Sequence, residues 1–240
     1  MKFLYESPAI VLGSSLIIGD THFGIEEKMK KKGVFDKTFS LRMSQNIVDL
    51  ILQNNCDEII FLGDVKENIT QIDNYTFQAL EKISKVAKIT IIRGNHDGGI
   101  EKYLKAKVID SLGFVKGKIG LFHGHTWPDK TLMDCDFIVC GHQHPLLRIK
   151  DSSGKVHSEP AWFVCESNSI NILDKYPDFN PNIRLILLPS FNPFLGNAIN
   201  LTSEKHLGPL LNNKLFKLDS ALVYRLNGTC LGQFSQIQTE

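Results

Sequence analysis

The feature that most constrains this chain is a set of five short polar pieces, each of which follows an apolar run. The pieces are, in chain order, Asp20-Thr21-His22, Gly63-Asp64, Gly94-Asn95-His96-Asp97, His123-Gly124-His125 and Gly141-His142-Gln143-His144. Six of the eight histidines of the chain lie inside them. A fold that buries the apolar runs as strands must therefore gather carboxylates, imidazoles and an amide at strand ends.

The N-terminal part of the chain alternates predicted strands with predicted helices. Apolar runs indicate strands at 15–19, 58–62 and 89–92, and periodic apolar side chains indicate helices at 37–53 and 74–86. The second helix is expected to turn inward the side chains of Phe77, Leu80, Ile83 and Val86. This β-α-β-α-β order is typical of parallel strands covered by helices, and ligands bind beyond the carboxyl ends of such strands.

Short strands dominate the remainder of the chain. Apolar runs predict strands at 119–122, 137–140 and 183–188, and hairpins over 146–165 and 221–234. The turn of the second hairpin is Asn227-Gly228, a strong two-residue turn signal. The polar segment 166–182 is rich in Asn, Asp and Pro and is predicted to be a loop.

The composition is that of an ordinary globular domain. With 240 residues, 42% apolar and 22% charged, the chain can bury one sizeable core, and it shows no repeat or linker. We therefore expect one domain over 1–240, with a motif core at 16–146 and C-terminal strands and a hairpin at 183–236. With a net charge of +1, the protein has no strong overall electrostatic attraction for nucleic acid. A metal centre can still bind a phosphodiester locally.

Cysteine usage and hydropathy indicate the compartment. None of the five cysteines forms a C-x-x-C pair, and the odd number argues against a disulfide framework, so most are expected to be small buried side chains. No signal peptide is visible, and no apolar stretch approaches the roughly 18 residues that span a bilayer. We expect a cytoplasmic protein without a membrane partner.

Two of the polar pieces place metal-binding side chains two residues apart. Asp20 and His22 can face the same way at a strand end, so that a carboxylate oxygen and an imidazole nitrogen grip one cation. His142 and His144 have the same spacing, and each can reach a metal. Such ligands, drawn from distant parts of the chain, suit two divalent cations.

The remaining ligand types favour phosphoester hydrolysis. Asp64 can bridge two cations through its two oxygens, and Asn95 offers a neutral carbonyl oxygen. Against two divalent cations, Asp20 and Asp64 leave about two positive charges for a phosphate ester and a metal-activated hydroxide. His96, next to a predicted ligand, is the candidate for protonating the leaving alkoxide, a role worth roughly 10²–10⁴ in rate.

In this order, the five pieces resemble the calcineurin-like metallophosphoesterase superfamily over at least residues 16–146. The resemblance implies an α/β fold, a two-sheet β-sandwich flanked by helices, with two divalent cations. The metal is often manganese, with Fe, Zn, Ni or Mg as alternatives. By position, the resemblance implies a catalytic histidine at His96, a first metal site of Asp20, His22, Asp64 and His144, and a second of Asp64, Asn95, His123 and His142.

A narrower resemblance extends the match through about residue 200. The opening Asp20-Thr21-His22-Phe23-Gly24-Ile25-Glu26 resembles the D-x-H-x-G-x-E start of archaeal and DNA-ligase-associated phosphoesterases. The segment Leu188-Pro189-Ser190-Phe191-Asn192, with Gly196-Asn197, is similar to their C-terminal signature. Some of these relatives are linked to DNA repair, which is a fold-level pointer to nucleotide or DNA substrates.

Three residue roles stay open at this point. His123 and His125 compete for one ligand position, and His123 is preferred because it directly ends a strand. Glu67 stands where many members carry a short polar residue, often Asp, that orients the catalytic histidine, and its longer side chain departs from that pattern. Asp97 is expected to cap a helix or support a ligand rather than to transfer protons.

The expected function is hydrolysis of phosphodiesters, in nucleotides or nucleic acid. The alternative within the same chemistry is a small-molecule phosphomonoesterase. A non-catalytic scaffold of the same fold is disfavoured, because every predicted ligand and His96 are present. The run of Lys28, Lys30, Lys31 and Lys32 is either a solvated face or a substrate-steering patch. The natural substrate and the oligomeric state are left open.

Overall fold

Two β-sheets pack face to face, and the first of them is built from the N-terminal strands. The computed structural model describes residues 1–103, 105–150, 153–199 and 206–237. The strands of the first sheet, in their spatial order, are β1 (Lys2–Phe3), β2 (Ile10–Leu12), β3 (Ser15–Ile18), β4 (Glu58–Phe61), β5 (Lys88–Ile92) and β6 (Lys107–Ile109). Strands β3 to β6 are parallel, so their carboxyl ends meet at one edge.

The second sheet contains the later strands. These are β7 (Phe114–Lys116), β8 (Ile119–Phe122), β9 (Phe137–Cys140), β10 (Pro145–Lys150), β11 (Val156–Ser167), β12 (Arg184–Leu187), β13 (Asn197–Ala198), β14 (Phe216–Arg225) and β15 (Cys230–Gln233). The main path runs β13-β10-β11-β12-β9-β8-β7, and β14 pairs with β11 and β15. Because β8, β9 and β12 are parallel, they also end at a common edge.

Helices cover the outer faces of both sheets. They are α1 (Glu26–Lys31), α2 (Phe39–Gln53) and α3 (Asn74–Ser84) on the first sheet, and α4 (Ser169–Leu173) and α5 (Pro209–Asn212) on the second. Short 3-10 turns occur at Ile100–Lys102, Lys130–Asp134 and Phe234–Gln236. Among the residues with described structure, no helix is long and apolar enough to cross a membrane.

A third apolar cluster lies between the sheets and holds the two halves together. In it, Ile17 and Ile60 of the first sheet meet Leu121, Val139 and Ile186 of the second, and all five are essentially inaccessible to solvent. Burial of such side chains stabilises the fold by roughly 1.5–3 kcal/mol each. The predicted α/β fold, a two-sheet sandwich flanked by helices, is therefore confirmed.

Most predicted elements are present, but the short strands β1, β2, β6, β7 and β13 were not predicted, and two further departures concern helices. Segment 166–182 was expected to be a loop, but it contains the end of β11 and all of α4, because Ile172 is buried under the second sheet. Phe77 was expected to face inward and is instead 44% exposed. The Asp73 side chain caps α3 by accepting a hydrogen bond from the backbone nitrogen of Thr76. A helix that begins at this position turns Ala79, Leu80 and Ile83 toward the sheet.

Two smaller expectations have mixed outcomes. The hairpin of β10 and β11 is present, but Asp151 and Ser152, which the sequence places in its turn, lie outside the described residues. Four cysteines are buried free thiols, as the sequence predicts, and the fifth, Cys230, is exposed in β15.

Candidate active site

All five polar pieces meet at the edge of the sandwich where parallel strands of both sheets end. The pieces that contain Asp20, Asp64 and Asn95 follow β3, β4 and β5, and those of His123 and His142 follow β8 and β9. The carboxylate of Asp20 accepts a hydrogen bond of 3.0 Å from the backbone nitrogen of His142, which joins the two sheets at this edge. Strand order thus places residues from distant parts of the chain side by side.

The first group of side chains consists of Asp20, His22 and His144. One possible ligand atom from each lies within 4.8 Å of the other two. The Nε2 atom of His144 is 3.1 Å from Oδ1 of Asp20. The Nε2 atom of His22 is 3.5 Å from Oδ2 of Asp64, which lies at the boundary of this group.

The second group consists of Asp64, His123 and His142, with ligand atoms again within 4.8 Å of one another. The Nε2 atom of His123 is 3.5 Å from Oδ2 of Asp64 and 3.2 Å from Oδ1 of Asn95. The same oxygen of Asp64 therefore lies 3.5 Å from a histidine nitrogen of each group. Asp64 therefore lies between the two groups, and its bridging of two cations stays a prediction.

The imidazoles present free nitrogen atoms to the carboxylates. The Nδ1 atom of His123 donates to the Leu62 carbonyl oxygen at 2.6 Å, so Nε2 is the nitrogen that faces Asp64 and Asn95. The Nε2 atoms of His22 and His144 are buried, and none of the described residues offers them a partner with hydrogen-bond geometry. Buried polar atoms are normally satisfied, and these atoms converge on carboxylates, so the donor set fits divalent cations.

The backbone is bent at the residues that form the groups. A left-handed backbone conformation, with φ between 44° and 65°, is found at Asp20, His22, Asp64, His142 and His144. Residues other than glycine rarely adopt it, at a cost of roughly 1–3 kcal/mol each. Strained backbone conformations of this kind are concentrated at functional sites, where contacts with the surrounding structure hold them in place. Here they turn the side chains toward one centre.

Two glycines allow the loops after β4 and β5 to touch. A Cβ atom on Gly94 would overlap the backbone nitrogen and the carboxylate of Asp64. A Cβ atom on Gly63, which has a φ of +80°, would lie 2.5 Å from Nδ1 of His123. Both positions require glycine because the ligand residues of neighbouring strands approach in backbone contact.

Asp97 connects the loops that carry the proposed ligands. Its buried carboxylate accepts hydrogen bonds of 2.9 Å from the backbone nitrogens of Val65 and Gly94, which joins the loop after β4 to the loop after β5. Burial raises the pKa of this carboxyl group. Of the roles expected from the sequence, support of a ligand fits, whereas the helix cap does not, since the following turn is capped at Gly99 without a side-chain hydrogen bond.

Lys66 is a supporting residue that sequence reasoning missed. Its side chain is fully buried, and its ammonium group donates to the carbonyl oxygens of Asn68, Ile69 and His96 at 2.6, 2.7 and 2.7 Å. These bonds connect the segment after Asp64 with the segment that carries His96. The sequence gives no signal for these bonds, because the acceptors of Lys66 in them are backbone carbonyl oxygens, which every residue carries.

Ser190 and Asn192 hold the loop that carries Asp20. The hydroxyl group of Ser190 donates to the carbonyl oxygen of Asp20 at 2.8 Å, and the amide of Asn192 donates to that of Thr21 at 2.9 Å. Both residues belong to the segment 188–192 that the sequence singled out without a role. Their contacts give that segment a structural function at the site.

His96 and Glu67 adjoin the first group. The backbone nitrogen of His96 donates to Asp64 at 2.9 Å, and its ring Nδ1 lies 2.9 Å from the carbonyl oxygen of Glu67. The carboxylate of Glu67 contacts Nδ1 of His22 at 2.8 Å and the ammonium of Lys28 at 3.0 Å. Glu67, His22 and His96 form a third group whose ligand atoms lie within 4.8 Å.

The remaining histidines lie beside or outside the two groups. The His125 ring is 5.1 Å from the His123 ring and 6.0 Å from the His142 ring, and it joins no ligand group among the described residues. The structure therefore brings His123, rather than His125, to Asp64. His157 is exposed and His206 is half-buried, away from the groups.

Comparison with known proteins identifies the family. The model of the calcineurin-like phosphoesterase superfamily domain matches residues 14–164, which is more than half of the chain. The chain belongs to the calcineurin-like phosphoesterase superfamily. It is accordingly a phosphoric ester hydrolase, and its family uses divalent metals. The narrower likeness to archaeal and DNA-ligase-associated phosphoesterases stays a prediction.

Two solved structures that resemble this chain are distant from it in sequence. The nuclease MPE of Pseudomonas putida is 22% identical, with a TM-score of 0.58 over 89% of this chain and 85% of that one. Yfce, a phosphoesterase from E. coli, is 17% identical, with a TM-score of 0.45 over 91% of this chain and 97% of that one. No curated protein matches this calcineurin-like chain.

In the metal-free protein, the pKa values of the histidines in the site shift in opposite directions. Burial disfavours charge on His22 and His123, but the nearby carboxylates, above all that of Asp64, outweigh it and raise the pKa of each histidine to about 9. Burial, aided by the charge of His123, lowers the pKa of His125 and His142 to about 4. Two histidines therefore carry protons near neutral pH, and two neighbours do not.

The close approach of the ligand loops can be tested with Gly94→Ala. The added methyl group must push Asp64 aside, and overpacking of this kind costs roughly 1–3 kcal/mol. We expect a lower melting temperature and at least a tenfold weaker Mn²⁺ affinity by calorimetry, as for misplaced ligands. Gly98→Ala is the control, because its Cβ would only meet the carbonyl oxygen of Ile69 at 3.6 Å. Wild-type affinity in Gly94→Ala would contradict this geometry.

The metal-free protein is expected to be most stable near pH 6.5, the ordinary pKa of histidine. His22 and His123 have folded pKa values near 9, so their contribution is complete below pH 6.5 and is lost as the pH rises toward 9. His125 and His142 have folded pKa values near 4, so their contribution is present above pH 6.5 and is lost as the pH falls toward 4.

Thermal unfolding of chelator-treated protein across this pH range measures the effect. The melting temperature should decline on both sides of the maximum. With Mn²⁺ present, the decline above pH 6.5 should disappear, because cations compete with protons for histidine nitrogens. A melting temperature of the metal-free protein that rises from pH 6.5 to 9 would rule out the proton assignment.

Proposed function

We propose that the chain is a dinuclear-metal-dependent phosphodiesterase that acts on nucleotide or nucleic-acid phosphodiesters. The observation that carries the proposal is the position of Asp64, whose Oδ2 atom lies 3.5 Å from Nε2 of both His22 and His123. One carboxylate between two histidine groups is the arrangement that a pair of cations requires. Membership of a phosphoesterase family supports the reaction class.

Eight side-chain roles divide between two cations in this proposal. One cation is assigned Asp20, His22, Asp64 and His144, and the other Asp64, Asn95, His123 and His142. Manganese is proposed first, with Fe, Zn, Ni or Mg as alternatives, because carboxylate, imidazole and amide ligands suit all of them. When bound, such cations offset the charge of the phosphoryl oxygens and lower the pKa of water.

His96 is proposed to hand a proton to the leaving oxygen. Its Nδ1 atom is engaged with the carbonyl oxygen of Glu67 at 2.9 Å, so Nε2 is the nitrogen left for proton transfer. Its backbone nitrogen donates to Asp64, which couples the position of the ring to the shared carboxylate. The ring centroid is 4.7 Å from that of His22, so His96 stands beside the first group without belonging to it.

Charge balance favours a diester over a monoester. Two divalent cations against Asp20 and Asp64 leave about two positive charges, and the Glu67 charge is balanced by Lys28. A phosphodiester carries one negative charge, so together with an anionic nucleophile it neutralises the site. A phosphomonoester dianion would leave excess negative charge. The nuclease of similar fold makes nucleic acid a substrate to test early.

The first experiment compares a chromogenic diester with a chromogenic monoester in the presence of Mn²⁺. We expect faster diester hydrolysis, which chelator and Asp64→Ala abolish because both remove the shared metal site. His96→Ala should retain Mn²⁺ and lose roughly 10²–10⁴ in rate, as for a lost proton donor. His157→Ala, an exposed histidine outside the site, is the matched control and should behave as wild type.

Each part of the proposal has its own contrary result. Diester hydrolysis that survives chelator and Asp64→Ala would contradict the dinuclear site. Hydrolysis of the monoester alone would replace the diesterase by a phosphomonoesterase. Loss of Mn²⁺ from His96→Ala would make His96 a ligand rather than a proton donor. Two bound cations without hydrolysis of either substrate would favour a scaffold.

A nucleic-acid substrate can be tested through the basic run. Lys30, Lys31 and Lys32 are exposed at the end of α1, the helix that reaches the site through the contact of Lys28 with Glu67. Changing Lys30, Lys31 and Lys32 to Gln should raise KM for single-stranded DNA several-fold and weaken its salt dependence, since phosphate contacts release counterions. KM for the small diester should not change.

The control for this variant is Lys85→Gln with Lys88→Gln, which removes exposed charge from the far ends of α3 and β5. Equal effects of the two variants would indicate a general charge effect. Wild-type KM for DNA in the α1 variant would contradict a steering role and favour small nucleotide diesters.

A further inference from the structure

We propose that the carboxylate of Glu67 positions His22, the proposed metal ligand, and that Lys28 fixes the carboxylate. This inference rests on the proposed function, since it assigns a role toward the cations. It differs from the family pattern, in which a short polar residue at this position orients the catalytic histidine, here His96. The proposal gives this departure of the sequence a physical role.

Both oxygens of the Glu67 carboxylate are engaged away from His96. Oε2 lies 2.8 Å from Nδ1 of His22, and Oε1 lies 3.0 Å from the ammonium of Lys28. The Glu67 side chain is 15% exposed and that of His22 is 5% exposed, so the bond is shielded from water. A histidine that donates one nitrogen to a carboxylate is held in the tautomer and orientation that a metal needs.

The opposite side of the His22 ring shows what this orientation serves. Its Nε2 atom is buried, has no hydrogen-bond partner in the described part of the chain, and lies 3.5 Å from Oδ2 of Asp64. Rotation of the ring would bring Nε2 away from Asp64 and break the bond to Glu67. The carboxylate of Glu67 therefore determines which nitrogen faces the proposed cation.

Backbone pairing places Glu67 opposite His22. The backbone nitrogen of His22 donates to the Asp64 carbonyl oxygen at 2.9 Å, and that of Glu67 donates to the Phe23 carbonyl oxygen at 2.9 Å. A parallel β-bridge between Phe23 and Lys66 lies between these bonds. Because the pairing uses main-chain atoms, it persists when the Glu67 side chain is truncated.

His96 is held by a different atom of the same residue. Its ring Nδ1 bonds to the main-chain carbonyl oxygen of Glu67 at 2.9 Å, and the ammonium of Lys66 bonds to its own carbonyl oxygen at 2.7 Å. Any amino acid at position 67 supplies the first carbonyl. A side-chain substitution at position 67 therefore separates the support of His22 from the support of His96.

The test measures Mn²⁺ affinity and turnover separately in Glu67→Ala and Glu67→Gln. Competition with a chromogenic chelator gives the dissociation constant, and diester hydrolysis at saturating Mn²⁺ gives kcat. We expect Glu67→Ala to raise the Mn²⁺ dissociation constant about 10–100-fold, the usual effect of losing such a support. At saturation, kcat and its pH profile should stay within a few-fold of wild type, with unchanged stoichiometry.

Two milder variants keep the role of Glu67 testable if Glu67→Ala does not fold. Glu67→Gln retains an acceptor oxygen for Nδ1 of His22 and should recover part of the affinity. Lys28→Met removes only the outer contact and should weaken Mn²⁺ binding less than Glu67→Ala does. The matched controls are Glu27→Ala on the same helix and Lys85→Met at the end of α3, both exposed positions, which should bind Mn²⁺ as wild type.

The contrary results are distinct. Wild-type Mn²⁺ affinity in Glu67→Ala, with a large loss of kcat at saturation, would assign the carboxylate to His96 and overturn the inference. Loss of one cation at saturation would make Glu67 a ligand itself and would also overturn it. A wild-type protein that binds Mn²⁺ but hydrolyses no phosphoester would contradict the proposed function, while the affinity comparison would still decide the role of Glu67.

Discussion

The buried carboxylate of Asp64 is the interaction on which the remainder of the site depends. It is 2% exposed, and an isolated charge at such a place would cost several kcal/mol. The fold offsets this cost with the backbone nitrogen of His96 and the imidazoles of His22 and His123. These partners hold the pKa of the carboxyl group well below its usual range, so the negative charge persists.

The same partners explain why two sheets are needed. His22 follows β3 and His96 follows β5 in the first sheet, whereas His123 follows β8 in the second. The side chains meet only because the sheets pack through a continuous apolar layer between them. Packing in that layer is thus coupled to the geometry of the site, although the layer holds none of the proposed ligands.

The strands, and the gathering of the candidate residues at strand ends, could be predicted from the sequence because both depend on local signals. Buried strands appear as apolar runs, and Asp20, Asp64 and His123 follow such runs directly. Contacts between distant loops carry no such signal. The bond between Glu67 and His22 is set by the pairing of two loops, and Lys66 bonds only to carbonyl oxygens, so neither could be inferred. The same applies to Phe77, whose exposure depends on the cap at the start of α3.

The proposed function depends on two cations that would share the carboxylate of Asp64. Electron paramagnetic resonance of the fully Mn²⁺-loaded protein tests that sharing most directly, because exchange coupling between the spins of two ions requires a bridging ligand. We predict two Mn²⁺ per chain and a coupled multiline spectrum that Asp64→Ala abolishes. An uncoupled spectrum of isolated Mn²⁺ at full loading of the wild-type protein would contradict the shared site.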